Sequence, residues 1–144
     1  MKRPAFLTLD EVLALQADQI RRHGGRAGLR DLALLSSAIA TPGVTFRGAY
    51  LHATVFEMAA AYLFHIARNH PFLDGNKRVS LMAALAFLWL NGLRVVADHV
   101  ELGDLVLGVA QGRVSKAEVA VFLKDHARAK SSKRSRSRDD STSS

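Results

Sequence analysis

Val79-Ser80-Leu81-Met82-Ala83-Ala84-Leu85-Ala86-Phe87-Leu88-Trp89-Leu90 is the longest nearly apolar run in the chain, and Asn91-Gly92 closes it. A helix that is apolar nearly all round has no face for water and belongs inside a protein. The run falls short of the roughly 18 residues that cross a bilayer, and Lys77 and Arg78 sit at its edge. It therefore predicts a core helix, beginning near Lys77, that the other helices wrap, and no membrane span.

The flanking sequence supplies those other helices. Thr8-Leu9-Asp10-Glu11 is a capping box, and Leu9, Val12, Leu13 and Ile20 follow it at helical spacing until Gly24-Gly25. Asp31 to Ile39 reads as a shorter helix with Leu32, Leu35 and Ile39 on one side, stopped by Thr41-Pro42-Gly43. A third helix is expected from about Leu51 to Arg68, with Val55, Met58, Ala59, Tyr62, Leu63 and Ile66 on its apolar face. It must end before Asn69-His70-Pro71, because proline disfavours helical geometry in the residue ahead of it. Beyond the apolar run, Leu93 to Ala97 is short and extended in character, and two more helices are expected over His99 to Ala110 and Ser115 to about Ala127. The second of these opens with its own capping box, Ser115-Lys116-Ala117-Glu118. One isolated strand does not make a sheet class. The expected fold class is all-α, without repeats at solenoid spacing.

The chain has 144 residues, 49% of them hydrophobic and 23% charged, which fits one globular domain and excludes wholesale disorder. It contains no cysteine. That removes a disulfide framework, a thiolate nucleophile and a Cys-based zinc site, and fits a reducing compartment. The N-terminus has no uninterrupted apolar segment of the signal-peptide kind, so a cytoplasmic protein is expected. The net charge of +7 invites an anionic partner, but it is unevenly placed. From Arg128 onward six basic residues stand against two acidic ones among many serines, giving +4 and leaving +3 for the rest. The sequence thus divides into a helical domain, 1–126, and a basic, serine-rich tail, 127–144, expected to be disordered. A nucleic-acid partner could enter only through that tail, which offers no aromatic side chain for base stacking.

Chemistry concentrates in His70-Pro71-Phe72-Leu73-Asp74-Gly75-Asn76-Lys77-Arg78, on the loop entering the apolar helix. The first-turn N–H groups of a helix lack intrahelical partners, and the dipole makes that end positive, so a phosphate is a natural occupant. Gly75 allows close backbone approach, and Lys77 and Arg78 add cations. Asp74 is out of place among them unless it serves a hard divalent cation such as Mg²⁺, which is commonly shared between a carboxylate and substrate phosphates. His70 has the chemistry to take a proton from a hydroxyl near neutral pH. Taken singly, each residue is better read as part of an ordinary helix start: Asp74 or Asn76 as caps, Gly75 as a turn, the cations as solvated surface. Their crowding before a helix with no wet face is what an ordinary helix start does not need. Arg68 is open to two readings, pointing at the same phosphates or partnering the C-terminal dipole of its helix. Glu57 is either a paired interior carboxylate or solvated.

The pattern His70-x-Phe72-x-Asp74-Gly75-Asn76-Lys77-Arg78 resembles the signature of the Fic/Doc (Fido) superfamily, and within it the death-on-curing toxins of toxin–antitoxin modules. Gly24-Gly25, Gly28-Leu29-Arg30-Asp31, Leu35 to Pro42 and the Phe87-Leu88 to Asn91-Gly92 segment are similar to that family as well, so the resemblance spans roughly residues 5–126. It implies a Fido-type helical bundle, with His70 activating a target hydroxyl and Asp74 binding Mg²⁺. It also implies that Gly75, Asn76, Lys77 and Arg78, with Arg68 beside them, hold the phosphates of ATP, while Phe72 packs inward. The adenylyltransferase branch usually has glycine where this chain has Lys77, and a second arginine where it has Leu81. Death-on-curing proteins share both departures and act as kinases, transferring the γ-phosphate to a threonine of elongation factor Tu and stopping translation. Gly75 instead matches the adenylylating branch, since some death-on-curing toxins carry alanine there. AMP transfer is thus the alternative reaction, and an idle antitoxin- or nucleic-acid-binding module the alternative outside enzymes. Neither Thr8 nor Ser115 starts the inhibitory Ser/Thr-x-x-x-Glu pattern of many Fic proteins, so the resemblance implies a separate, Phd-like antitoxin.

Overall fold

The structure, a computed structural model, describes residues 3–130. Within them the chain runs through α1 (Leu9–His23), α2 (Leu32–Ala40), a 3₁₀ turn at Thr41–Gly43, and a short hairpin of β1 (Thr45–Phe46) and β2 (Ala49–Tyr50). Then come α3 (Val55–Asn69), α4 (Asn76–Leu90), β3 (Leu93–Val95), α5 (His99–Ala110), α6 (Lys116–His126) and β4 (Ala127–Ala129). The all-α class holds. No helix among the described residues is long and apolar enough to cross a membrane.

The helix starts follow capping chemistry. Thr8 with Glu11, Asp98 with Glu101 and Ser115 with Glu118 each form a reciprocal capping box, satisfying first-turn donors that the helix itself cannot. Asp31 caps α2 through the Leu34 amide, and Thr54 caps α3 through the Glu57 amide. Glu57 in turn accepts from the Ala53 amide at 2.7 Å, which settles it as part of the α3 cap. The third helix starts at Val55 and not near Leu51, because the cap falls on Thr54 and the residues ahead of it follow the hairpin.

α4 does not stand alone at the centre. It packs along α3, and α3 also meets α2, α5 and α6. Eight α3 residues, Met58 to Leu63 with Ile66 and Ala67, are buried, against six in α4. Nor is α4 dry throughout: Trp89 is 51% exposed at its far end, with Lys130 Nζ 4.6 Å over the ring. Tyr62 links the core to the N-terminal segment, since its hydroxyl accepts from the Leu7 amide at 3.0 Å and burial pushes its pKa up to about 12. Phe87 lies against both Tyr62 and Phe6.

The extended character of Leu93–Val95 has a partner. β4 pairs antiparallel with it, in the register Leu93 to Ala129, Arg94 to Arg128 and Val95 to Ala127. Residues 127–129 therefore belong to the fold, although composition places them in the tail. Serine and charge dominate the segment as a whole, but a strand pairing through its backbone needs little from its side chains. The rest of the tail, 131–144, lies outside the described residues.

Candidate active site

Pro71 forces α3 to stop, and the chain leaves it through His70, whose φ of 50° and ψ of 57° are left-handed. The loop that follows is pinned at nearly every residue against the segment between α1 and α2. The Pro71 carbonyl accepts from the amides of Arg30 and Asp31 at 2.8 and 3.0 Å, and the Leu73 amide donates to Gly28 at 3.0 Å. Phe72 is 1% exposed and forms a single β-bridge with Leu29, so it anchors the loop in the core. Asn76 closes the turn: its side chain accepts from the Phe72 amide at 2.9 Å and donates to the Phe72 carbonyl at 3.0 Å.

Beneath the loop lies Gln16, 3% exposed on the inner face of α1. Its Nε2 donates to the carbonyls of Arg26 and Asp74, each at 3.2 Å, and its Oε1 accepts from the Gly28 amide at 3.3 Å. One buried amide thus ties both loops to the first helix. Asp74 is joined to the same segment through its carboxylate. Oδ2 accepts from the Arg26 backbone amide at 2.6 Å and lies 3.3 Å from Arg26 Nε. That amide, more than the guanidinium, holds the Asp74 pKa below the usual carboxylate range.

Over this platform opens a cavity of about 550 Å³ between the loop, the first turns of α4 and the flank of α5. His70, Asp74, Gly75, Asn76, Lys77 and Arg78 line one side, and Gly103, Val106 and Leu107 the other. α4 starts at Asn76 after Gly75, which has a φ of 81° and makes no side-chain cap. The helix therefore presents an uncapped, positively polarised end to the cavity, flanked by the exposed Lys77 and Arg78. Anion binding is the natural chemistry of that wall. Among the described residues Asp74 is the only carboxylate in the lining; its Oδ2 is engaged by Arg26, so Oδ1 is the oxygen left to meet a cation.

The structure brings together every residue singled out in the loop, but not all in one role. The Asn76 side chain is consumed by the Phe72 backbone, so only its main chain is available to a phosphate. Arg68 is not on the cavity wall: its Nη1 donates to the Val109 carbonyl at 3.3 Å, at the C-terminal end of α5. Asp74 is no helix cap, since Gly75 takes that position. Gln16, Arg26 and Arg30 were not evident from the motif. Gln16 left one signal, a polar residue four places after Val12 and four before Ile20 on an otherwise apolar stripe.

A second cavity of similar volume, about 560 Å³, lies between the start of α3 and α6 and holds His52, Glu57, Lys116 and Lys124. There the Lys116 ammonium sits 3.1 Å from Nε2 of His52 and 3.1 Å from Nε2 of His65. Burial, and next the Lys116 charge, push the His65 pKa down to about 4. Apart from Glu57, none of the residues that the sequence marks for chemistry lines it.

With the motif loop placed at the uncapped start of a core helix, residues 6–88 match the Fic/DOC family. The chain belongs to that family. Over 116 residues, 80% of this chain and 90% of the relative, it is 41% identical to "Protein kinase doc" of Escherichia phage P1. It is also 43% identical over 75 residues, 52% of this chain and 58% of the relative, to "Toxin Doc" of Mycolicibacterium smegmatis.

Proposed function

We propose that this chain is a Doc-type toxin and a protein kinase, transferring the γ-phosphate of ATP to a serine or threonine hydroxyl of a translation factor, elongation factor Tu being the first candidate. The observation that carries the reading is the placement of His70 in the same cavity as the uncapped α4 N-terminus with Lys77 and Arg78. The 41% identity to a relative named a protein kinase supports the same reaction.

In this reading the His70 imidazole takes the proton of the target hydroxyl as its oxygen attacks the γ-phosphorus; the bond to the β-phosphate oxygen breaks and ADP leaves. The amides of the first α4 turn, with Lys77 and Arg78, hold the phosphates and take up charge that develops in transfer. Asp74, through Oδ1, is the residue that would hold Mg²⁺, and the ion would supply neutralisation of phosphate charge. Arg26 fixes the carboxylate's orientation. The partner that silences the site is a separate, Phd-like antitoxin, and the setting is the bacterial cytoplasm.

AMP transfer is the competing reaction, favoured in sequence by Gly75. The left-handed φ of 81° supplies an independent reason for glycine at that position, so Gly75 does not weigh toward adenylylation. Incubation with elongation factor Tu and ATP labelled either at the γ-phosphate or in the adenine separates the two. Label from the γ position alone is expected. Adenine label would establish adenylylation instead, and no label from either would dismiss both reactions for that target.

A further inference from the structure

Arg30 is exposed, yet its side chain is not spent on solvent. Its Nη2 donates to the Asn69 carbonyl at 2.7 Å and its Nε to the His70 carbonyl at 2.6 Å, while its own amide donates to the Pro71 carbonyl at 2.8 Å. One residue thus holds three consecutive carbonyls across the end of α3. The Asn69 and His70 carbonyls lie at the negative end of the helix dipole and have no intrahelical donor left, which suits a planar cation with two fixed donors.

His70 needs such a hold. Among the described residues only it and Arg47 have positive φ without being glycine. A left-handed conformation is unfavourable for a residue with a Cβ and persists where the surroundings over-determine it. At His70 the surroundings are Arg30 on its carbonyl, Ile66 accepting from its amide at 3.3 Å, and the docked Pro71. His70 lines the cavity from this turn, so a change in its backbone conformation would redirect the imidazole.

We propose that Arg30 is the positioning residue of His70: its guanidinium fork fixes the left-handed turn that presents the imidazole to the cavity. Arg30 does not line that cavity, so it acts through His70 and not on the nucleotide. The proposal rests on His70 being the base. Arg30→Ala removes both side-chain bonds but keeps the amide bond to Pro71, so the loop stays docked through Pro71, Phe72 and Leu73. Arg30→Lys keeps the charge but lacks the fork, and should be intermediate.

The test measures γ-phosphate transfer to elongation factor Tu, with arrest of growing cells as a readout that needs no known target. Arg30→Ala should lower kcat roughly 100-fold, as misplacement of a catalytic group by about an ångström does, while KM for ATP stays within about twofold. His70→Ala with Arg30→Ala should be no worse than His70→Ala alone, because a residue acting only through His70 has nothing left to position. In NMR spectra the His70 backbone signals should move in Arg30→Ala while those of α4 hold. Unchanged kcat and growth arrest in Arg30→Ala, a parallel rise in KM, or a further loss in the double variant would each overturn the proposal. Full activity of His70→Ala would overturn the base assignment and the positioning role with it, and moved His70 signals in Arg30→Ala would then record a purely structural clamp.

Discussion

The Asp74 carboxylate and Arg26 meet twice, through the Arg26 amide at 2.6 Å and through its guanidinium at 3.3 Å. The shorter contact belongs to the backbone, so the position of the carboxylate depends on the fold of the 24–31 segment more than on the arginine side chain. It also keeps Asp74 ionised well into the acid range, ready for a cation.

Arg26→Ala should therefore cost Mg²⁺-dependent transfer less than about tenfold, because the amide remains. Asp74→Asn, with the same shape and no charge, should cost on the order of 100-fold or more, and the loss should not be restored by added Mg²⁺. A Mg²⁺ titration of phosphate transfer for both variants checks this. Equal losses would mean that the guanidinium matters as much as the carboxylate and that the backbone amide alone does not hold Asp74 in place.

Gln16→Leu fills the same space and removes the three polar contacts that this side chain makes. It leaves the Arg26 and Asp74 carbonyls and the Gly28 amide without that partner. A buried group deprived of its hydrogen bond costs about 1–3 kcal/mol, so the variant should lose about 2 kcal/mol in urea unfolding. Loss of transfer should exceed what its unfolded fraction explains, since both loops of the site lean on this side chain.

Gly75→Ala puts a Cβ on a residue with φ of 81°, where only Ile20 Cδ1 lies near, at 3.7 Å. Space is not the obstacle; conformation is. The substitution should cost about 1–2 kcal/mol of stability, the usual penalty of a left-handed residue bearing a Cβ, measured by thermal or urea unfolding. A neutral result would show that the turn ahead of α4 relaxes freely and that the glycine there answers to the ligand instead.

Much of this was legible beforehand, and the reasons differ by element. The capping boxes at Thr8 and Ser115 and the apolar faces of α1 and α3 follow local rules, so these helices fall close to where the spacing puts them, while the box at Asp98 emerges only in the structure. The motif loop was legible as chemistry because its residue types are incompatible with one another outside a site. What the sequence hid was long-range pairing. Nothing local marks Arg30 as the clamp of carbonyls 40 positions away, or Gln16 as the link between Arg26 and Asp74. The same holds for the division of the core between α3 and α4, because an apolar run says that a helix is buried but not what else is buried beside it. The Asn76 side chain is hidden in the same way: the motif does not show that its amide group is held by the Phe72 backbone, which leaves the main chain as the part available to a phosphate.

Lys116 predicts a pH effect away from the site. Its ammonium has two neutral imidazoles at 3.1 Å as acceptors, and His52 and His65 are both shifted down, His65 to about 4. Glu57 faces His52 across the same cavity and opposes the shift only weakly. A histidine near 6.5 in the unfolded chain and near 4 in the fold takes up protons on unfolding, so this part of the stability is present above about pH 6.5 and is lost as the pH falls toward 4. With half-exposed groups the loss should be on the order of 1 kcal/mol after solvent screening. Lys116→Met removes the neighbouring cation, should raise the His65 pKa, and should flatten the acid limb of Tm against pH. An unchanged acid limb would assign it to carboxylates elsewhere.

The strand at Ala127–Ala129 makes two truncations behave differently. Ending the chain at residue 130 keeps β4, the Lys130 amide bond to Gly92 at 2.9 Å, and the Lys130 ammonium over Trp89 with its 3.1 Å bond to the Trp89 carbonyl. Ending it at residue 126 removes all of these, strips β3 of its partner and leaves Trp89 barer at the end of α4. The shorter chain should lose about 1–2 kcal/mol, some 5 °C in Tm, while the longer one should melt as the full chain does. Transfer at low temperature should survive both cuts, because β3 and β4 sit at the far end of α4 from His70 and Asp74. Lost activity after removal of 131–144 alone would instead give the basic segment a part in binding the protein substrate, and its dependence on salt would then show whether charge is what it contributes.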